Sequence, residues 1–338
     1  MTDLAPNSGA PVVTVMGAGS VGCWIGGRLQ AAGARVHLVG RPRVLQALRN
    51  AGLRLTDCDG SDLHIQADQL LLHEDPPAAP GLVLMCVKSA ATAGAATQLA
   101  QRLAPGTPVL SLQNGVTSAQ VGAAAAPALL WLAGMVPFNI AELGPGHFHR
   151  GTGGRLAAQS HAALQPYLAL FTAAGLPLGL HADLTSVLWG KLLLNLNNPV
   201  NALSGLPLRD QLLNRNYRLV LAALQREALD AMQAAGIKPA RLTPLPPQRL
   251  AAVLRLPTWL FRLLARRMLQ MDVKARSSMA DDLALGRPTE VDAFCGAVVR
   301  LAAAHGLQAP VNARMNLLLS ANKPTPMTGR QLRRALGV

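Results

Sequence analysis

The sequence predicts an α/β protein in which a doubly wound, largely parallel sheet is followed by an all-α C-terminal domain. Three observations carry this reading. The apolar run Val12–Met16 leads into Gly17-Ala18-Gly19-Ser20-Val21-Gly22, and an Ala/Gly/Leu helical pattern follows to Ala32. Short apolar runs of strand length then recur as far as Leu180. Beyond Asp183 the strand signals nearly vanish and long helical patterns replace them. The length of 338 residues, at roughly 100–200 residues per domain, corresponds to two domains.

Taken in order, Val12–Met16 is a strand, the glycines form a turn, and Gly33 is placed to end the helix after them. Arg35–Val39 is the second strand. Strand, glycine turn, helix and strand make the opening βαβ unit of a Rossmann-type sheet. Further strands are expected at Leu82–Val87, Val109–Leu112 and Leu130–Val136. Gly144-Pro145-Gly146 reads as a tight turn feeding His147–His149, and Pro177–Leu180 as a last strand. Helices are expected over Thr185–Asn198, Leu212–Ala235, Arg249–Leu269 and Val291–Ala304, with Pro244–Pro247 as a loop. The expected organisation is a Rossmann-type domain over 10–182, a helical domain over 183–325 and a frayed basic tail over 326–338.

Composition excludes several classes. A hydrophobic fraction of 50% rules out global disorder, and 31 Gly with 24 Pro in no regular period rule out a fibrous chain. Aromatic residues make up 3%, and the dominance of Ala and Leu favours helices over an all-β fold. Cys23, Cys58, Cys86 and Cys295 are widely spaced, with neither a disulfide framework nor zinc-ligand spacing, as in a cytoplasmic chain with free thiols. The start carries Asp3 and no basic segment, which argues against a secretory signal. Leu103–Ala141 is uncharged but broken by Pro105, Pro108, Gln113, Asn114 and Pro137, so no membrane span is expected.

The net charge of +14 is uneven, with 9 basic and 8 acidic residues up to Arg150 and 22 basic and 9 acidic beyond it. This excess raises an alternative reading as a binder of nucleic acid or of an anionic membrane surface. The basic amphipathic stretch Pro257–Met268 is its best motif. The commoner explanation is an apolar side in the core and arginines on a solvated face. No RNP, zinc-finger or helix-turn-helix signature accompanies it, so neither a nucleic-acid nor a membrane partner is expected.

The glycine motif follows a strand and opens a helix, the context in which it binds a dinucleotide. Gly17 makes the turn, Gly19 lets backbone approach the pyrophosphate, and Gly22 lets helix pack on strand, with Ser20 and Val21 at the helix N-terminus. Packing glycines of an ordinary α/β fold are the plain alternative. After Val39 comes Gly40-Arg41-Pro42-Arg43, with no acid to hold a ribose 2′-hydroxyl. Arg41, helped by Arg43, suits a 2′-phosphate, which makes NADPH the expected cofactor. Lys88 and Asn114-Gly115 each follow a strand, at the carboxyl rim where open α/β sheets bind ligands.

Leu188-Trp189-Gly190-Lys191-Leu192-Leu193-Leu194-Asn195-Leu196-Asn197-Asn198-Pro199 is the other informative stretch. On a continuous helix, Lys191, Asn195 and Asn198 fall within about 60° of one another. A Lys and amides among leucines are costly unless paired. An ammonium beside a carbonyl can donate a proton as hydride arrives, while amides hold a carboxylate or hydroxyl. A snorkelling Lys with cap-forming asparagines is the alternative. Thr289-Glu290-Val291-Asp292, taken alone, is an ordinary helix start.

GAGSVG, CVKS, QNGV, GKLLLNLNNP, RSSM and PTEVD occur in this order between Val12 and Met315. In that series the chain resembles the ketopantoate reductase (2-dehydropantoate 2-reductase) family. The resemblance implies NADPH-dependent reduction of a 2-oxo acid to a 2-hydroxy acid, ketopantoate to pantoate in pantothenate biosynthesis. It also implies a Rossmann domain, a helical domain and an active site in the cleft between them. Lys191 matches the family's general acid, and Glu290 the acid near the cofactor ribose and that lysine. Asn114 matches an amide touching cofactor and substrate, Asn195 and Ser278 match substrate-binding positions, and Lys88 a cofactor-contacting lysine.

Two departures stand out. The spacing from Lys191 to the Asn before Pro199 is one residue short of the commonest pattern, so Asn198 is assigned by its Asn-Pro context and Asn197 stays open. A second family asparagine falls near Leu208, which keeps open a paralogous reductase of another 2-oxo or hydroxy acid. The loop between Gly236 and Ser277 is longer than in compact members. No metal is expected, and a homodimer is left open.

Overall fold

A computed structural model of the chain describes residues 9–79, 81–266, 269, 275–321 and 324–338. Two compact units, Met1–Leu184 and Thr185–Val338, divide the chain.

The first unit begins with β1 (Val12–Met16), α1 (Ser20–Ala31), β2 (Arg35–Val39) and α2 (Pro42–Ala51). There follow β3 (Leu53–Asp57), β4 (Asp62–Ile65), β5 (Leu71–His73), β6 (Leu82–Met85), α3 (Thr92–Ala100), β7 (Pro108–Ser111) and α4 (Ser118–Ala125). β8 (Leu130–Met135), β9 (Ile140–Gly144), β10 (His147–Arg150), β11 (Leu156–Gln159), α5 (Leu168–Ala173) and β12 (Leu178–His181) complete it. The main sheet has the order β12-β11-β8-β7-β6-β1-β2-β5, and every neighbouring pair is parallel except β8 with β11. From β1 the chain moves out through β2 to β5, then returns to place β6 on the other side of β1. The strand order therefore reverses at β1, and such a reversal opens a ligand crevice at the carboxyl ends of the strands. Both faces of the sheet are covered, as period-2 alternation in β6 shows: Leu82 and Leu84 enter one apolar cluster, Val83 and Met85 the other.

A second, four-stranded sheet runs β4-β3-β10-β9, with β3 and β10 parallel and the outer pairs antiparallel. The expected Gly144-Pro145-Gly146 turn joins β9 to β10, and Gly146 takes φ +71°. α1 lies against this sheet because Gly27 has no side chain: a Cβ there would meet Leu53 Cδ2 and Leu55 Cδ1 at 2.7 Å each. The sequence reading placed His147–His149 but missed β3, β4 and β9.

In the second unit the helices are α6 (Thr185–Asn195), α7 (Asn197–Ser204), α8 (Leu208–Leu213), α9 (Arg215–Ala234) and α10 (Pro247–Arg255). α11 (Thr258–Leu264), α12 (Ser278–Ala284), α13 (Ala297–Ala304), α14 (Pro310–Ser320) and α15 (Gly329–Leu336) follow, with a π-helical turn over Asp292–Gly296. α9 is the centre, packing against α10, α13, α14 and α15. Two of its charged side chains serve the ends of other helices. Arg218 is fully buried, and its Nε, Nη1 and Nη2 donate to the carbonyls of Leu254 (3.1 Å), Leu212 (2.9 Å) and Leu256 (2.9 Å). Its guanidinium also lies 4.2 Å from the Phe261 ring centroid. Glu227 accepts from the N–H groups of Val311 (2.8 Å) and Asn312 (2.9 Å), so a carboxylate from α9 caps the positive end of α14.

Each of the four expected helices is interrupted. Thr185–Asn198 breaks at Leu196, because Pro199 has no N–H to offer the Asn195 carbonyl. Leu212–Ala235 breaks at Asn214, whose side chain caps α9 by accepting from the Asn216 N–H at 3.0 Å. Arg249–Leu269 breaks before Pro257, and Val291–Ala304 opens through the π turn. Part of the basic stretch, Arg267 and Met268, lies outside the described residues. Residues 326–338 are not a frayed tail. Thr328 and Gln331 form a capping box, Leu332 and Leu336 are buried one turn apart, and Gly337 closes α15 at φ +72°. The Tyr217 hydroxyl fastens the preceding residue by donating to the Met327 carbonyl at 2.7 Å.

Replacing Glu227 with Ala leaves the first N–H groups of α14 without this acceptor. Urea denaturation is expected to show a loss of about 1.5–3 kcal/mol, the range for hydrogen bonds to a charged group. Replacing the solvent-facing Arg330 with Ala should change stability by less than about 0.5 kcal/mol.

Candidate active site

In the first unit the loop between β1 and α1 stands at the carboxyl edge of the sheet, where the strand order reverses. Gly17 takes φ +113°, and its N–H and that of Ala18 both donate to the Val39 carbonyl, at 3.0 and 2.8 Å. A Cβ at Gly17 would meet the Val87 nitrogen at 2.6 Å, and one at Gly22 would meet Val15 Cγ1 at 2.8 Å as well as the Gly17 carbonyl. A Cβ at Gly19 would meet nothing within 4 Å. Two of the glycines are thus required by internal packing, whereas the middle one faces open space from which a ligand can reach backbone. α1 starts at Ser20 and Val21 with Gly19 as its cap, and no acid occupies its first turn. N–H groups and the helix dipole there favour an anion, which fits a dinucleotide pyrophosphate.

Arg41 is the N-cap of α2, with Pro42 at the first helical position, and both Arg41 and Arg43 are exposed. No acid lies in that first turn, so the arginines sit against the helix dipole, and an anionic group bound there would relieve the conflict. Glu74 and Asp75, passed over in the sequence, are exposed directly after β5, the neighbour of β2. The Gly40 N–H donates to the His73 carbonyl at 3.0 Å and brings these two strand ends together.

Lys88 is exposed and lies three residues beyond β6, which ends at Met85 rather than Val87. Asn114, half-buried, follows β7, and its carbonyl accepts from Ser118 Oγ at 3.1 Å. The buried Gln113 joins these two rims. Its Nε2 donates to the Val87 carbonyl at 2.9 Å and to Thr92 Oγ1 at 2.7 Å, while its Oε1 accepts from Ser111 Oγ at 3.0 Å.

In the second unit Lys191 is half-buried on α6, between the buried residues Gly190 and Leu192. A Cβ at Gly190 would meet the Ala240 carbonyl oxygen at 2.6 Å, so this glycine admits the Ala240 backbone against the helix. Burial lowers the Lys191 ammonium to about 8, and the negative charge of Glu290 acts the other way, to raise it. Glu290 is itself buried, two residues before the π turn.

Asn195 ends α6, and Asn198 stands in the first turn of α7, beyond the break at Leu196. The continuous-helix geometry expected for Lys191, Asn195 and Asn198 therefore holds only for the first two. The side chain of Asn197 is engaged within the protein, its Oδ1 accepting from Gln211 Nε2 at 3.1 Å. Ser277 is buried and caps α12, its Oγ accepting from the Ala280 N–H at 3.2 Å and donating to the Asn198 carbonyl at 3.4 Å. Its N–H donates to Oδ1 of the buried Asn201 at 2.9 Å. Ser278, the next residue, is exposed at the start of the helix. Among the described residues, no group of three or more His, Cys, Asp or Glu side chains is placed to hold a metal ion.

Comparison with known proteins fits both halves of this arrangement. The family model for ketopantoate reductase PanE/ApbA matches residues 13–162, and that for its C-terminal domain matches residues 183–323. The chain belongs to the ketopantoate reductase family. The 2-dehydropantoate 2-reductase of Halobacterium salinarum is 31% identical over 305 residues, covering 88% of this chain and 94% of its own. A PanE/ApbA family ketopantoate reductase from Ralstonia eutropha JMP134 superposes with a TM-score of 0.77 at 31% identity, covering 97% of this chain and 100% of its own. A D-mandelate dehydrogenase solved with NADH and anilino(oxo)acetate shares the fold, with a TM-score of 0.75 at 17% identity over 97% of this chain and 100% of its own.

The protein is thus an oxidoreductase of the ketopantoate reductase family, with a Rossmann-like first unit. Sequence reasoning located the glycine loop, Arg41, Lys88 and Asn114 on one unit, and Lys191, Asn195, Asn198, Ser278 and Glu290 on the other. It overlooked the residues that hold them, Gln113, Ser277 and Asn201. Gln113 and Ser277 lie inside the QNGV and RSSM motifs and Asn201 between Val200 and Ala202, but the contacts that matter here, Gln113 with Thr92 and Ser277 with Asn201 and Asn198, join residues far apart in the sequence.

Gln113→Leu keeps the volume but removes the amide that serves the Val87 carbonyl and Ser111 Oγ, and leaves Thr92 Oγ1 only its bond to the Ser89 carbonyl. A stability loss of about 1–3 kcal/mol is expected by thermal unfolding. Titration of cofactor should show weaker binding than in the native protein, because both rims lose their shared support.

Proposed function

We propose that this protein reduces a 2-oxo acid to the corresponding 2-hydroxy acid with NADPH, ketopantoate to pantoate being the assigned reaction, as in pantothenate biosynthesis. The observation that carries the reading is Lys191: a half-buried ammonium lowered to about 8, with the buried carboxylate of Glu290 opposing the shift. An acid so tuned is mostly protonated at neutral pH yet gives up its proton far more readily than an ordinary lysine.

The glycine loop and the N-terminus of α1 would receive the cofactor's pyrophosphate, Arg41 its 2′-phosphate, and Lys88 and Asn114 the part nearer the reaction. When bound, NADPH supplies the hydride for the substrate carbonyl carbon. Lys191 Nζ donates its proton to the carbonyl oxygen as that oxygen gains negative charge, and it is reprotonated from solvent. Glu290 keeps Nζ charged and directed until that moment. Asn195, Asn198 and Ser278, with Asn114, would hold the carboxylate and hydroxyl of the substrate by hydrogen bonds.

One observation supports a second substrate. Leu208, whose N–H donates to the Ala275 carbonyl at 2.8 Å, presents hydrocarbon where the family resemblance leads one to expect an asparagine. A paralogous reductase of a less polar 2-oxo acid fits that position, and the D-mandelate dehydrogenase neighbour was solved with such an oxo acid analogue.

NADPH oxidation followed with ketopantoate and with branched and linear 2-oxo acids decides between the two readings; no turnover with any of them refutes both. Lys191→Ala is expected to lower kcat by about 10²–10⁴-fold while cofactor titration is preserved. Reduction should fall as pH rises through about 8, where Nζ loses its proton. Because Glu290 raises that value, Glu290→Gln should move the fall to lower pH. Arg41→Ala should reduce the preference for NADPH over NADH by about tenfold, and an unchanged preference would remove Arg41 from the 2′-phosphate site.

A further inference from the structure

Between Asp230 and Asp272 the chain carries seven basic residues and no acid. Within this stretch α11 reverses the usual arrangement of a surface helix. It is anchored by Phe261, fully buried, and by Ala265 just beyond its end. Trp259 and Leu263 project about 160° round the helix from Phe261, at 100° per residue. They are 70% and 68% exposed, and Leu264 on one flank is 57% exposed. Arg262 is exposed on the other flank, Arg266 is exposed two residues beyond the helix end, and Arg255 is exposed at the end of α10. A helix of a soluble protein ordinarily turns its apolar stripe inward and leaves charge outside. The sequence reading assigned the apolar side of this segment to the core, but its largest apolar side chain, Trp259, lies outside.

We propose that the α11 crest docks on an anionic lipid surface, with Trp259 and Leu263 entering the interface and Arg255, Arg262 and Arg266 meeting headgroup phosphates. An indole at the crest, leucine beside it and arginines on its flank and at either end are the composition of an interfacial segment. The charge supports this occupant over two others. A second copy of the chain would set Arg262 and Arg266 against their equivalents, with no acid between Asp230 and Asp272 to neutralise them. A nucleic acid would be met by polar and basic side chains, and here the most prominent groups are hydrocarbon. The contact is peripheral, because no described helix is long and apolar enough to cross a membrane. It is independent of the reductase reading, since none of these residues belongs to the proposed site.

Flotation of the full chain with vesicles tests the proposal. Mixed phosphatidylcholine–phosphatidylglycerol vesicles should carry the protein at low salt, and pure phosphatidylcholine vesicles should not. Each of Arg262→Gln and Arg266→Gln is expected to weaken partitioning about fivefold. The double variant Trp259→Ser, Leu263→Ser should weaken it more than tenfold, with an unchanged thermal unfolding transition. The Trp259 emission should shift to the blue on binding, read as the difference from Trp259→Phe. Equal flotation with both vesicle types, or undiminished flotation of the double variant, would overturn the proposal. So would the absence of lipid binding combined with a dimer or duplex-DNA complex that the double variant abolishes.

Discussion

Every helix that stops inside a protein leaves carbonyl or amide groups that must find a partner, and this requirement shapes the second unit throughout. Pro199 is the clearest case. Its missing N–H ends α6 at Asn195, and that break allows Asn195 and Asn198 to stand on separate helices. The groups freed nearby are taken up from elsewhere in the unit. Gln225 on α9 donates to the Leu193 carbonyl at 2.9 Å, and Ser277 donates to that of Asn198. Arg218 gathers the ends of α8 and α10, and Glu227 meets the start of α14. The polar interior of this unit is therefore mostly a set of backbone partners, and the lysine-bearing helix is held by them.

The first unit solves a different problem with the opposite means. Its parallel strands satisfy one another, so what remains is close approach, and glycine supplies it. Gly17, Gly22 and Gly27 stand where a single carbon atom would strike neighbouring backbone or leucine side chains. Gly19 alone in the loop is bare towards open space, which sets it apart from the glycines that packing requires.

These two styles explain what could be read from the sequence. The glycine loop, the rim positions after β6 and β7, and the Lys191–Asn195 pair are local patterns, with the strand-to-helix switch or the period of a helix beside them. Gln113, Asn201, Ser277 and Glu227 act through partners between 21 and 85 residues away, and a polar residue does not reveal in its own neighbourhood which distant group it will meet. The second sheet is hard to read because β4 alternates over only four residues, Asp62–Ile65, and β9 is exposed or half-buried throughout and shows no alternation. α15 was mistaken for a tail because its arginines outnumber the two leucines that bury it. The charge excess, which first suggested an anionic partner, is absent from the glycine loop and concentrated around helices with no assigned part in the chemistry.

The position of α9 bears on how the chain is made. The first unit draws its sheet from a continuous segment ending at β12, so all its partners have been synthesised before α6 begins. α9 is flanked by α15, more than a hundred residues later, through Tyr217 with Met327 and Arg333 with Asn216. During translation, then, the Rossmann half can fold as it emerges, whereas α9 meets α10 soon after but must wait for α13, α14 and α15 to cover its remaining faces. Arg218, Glu227 and Gln225 place polar groups on this waiting helix, so the same side chains that complete its native contacts also interrupt what would otherwise be an adhesive surface on the nascent chain.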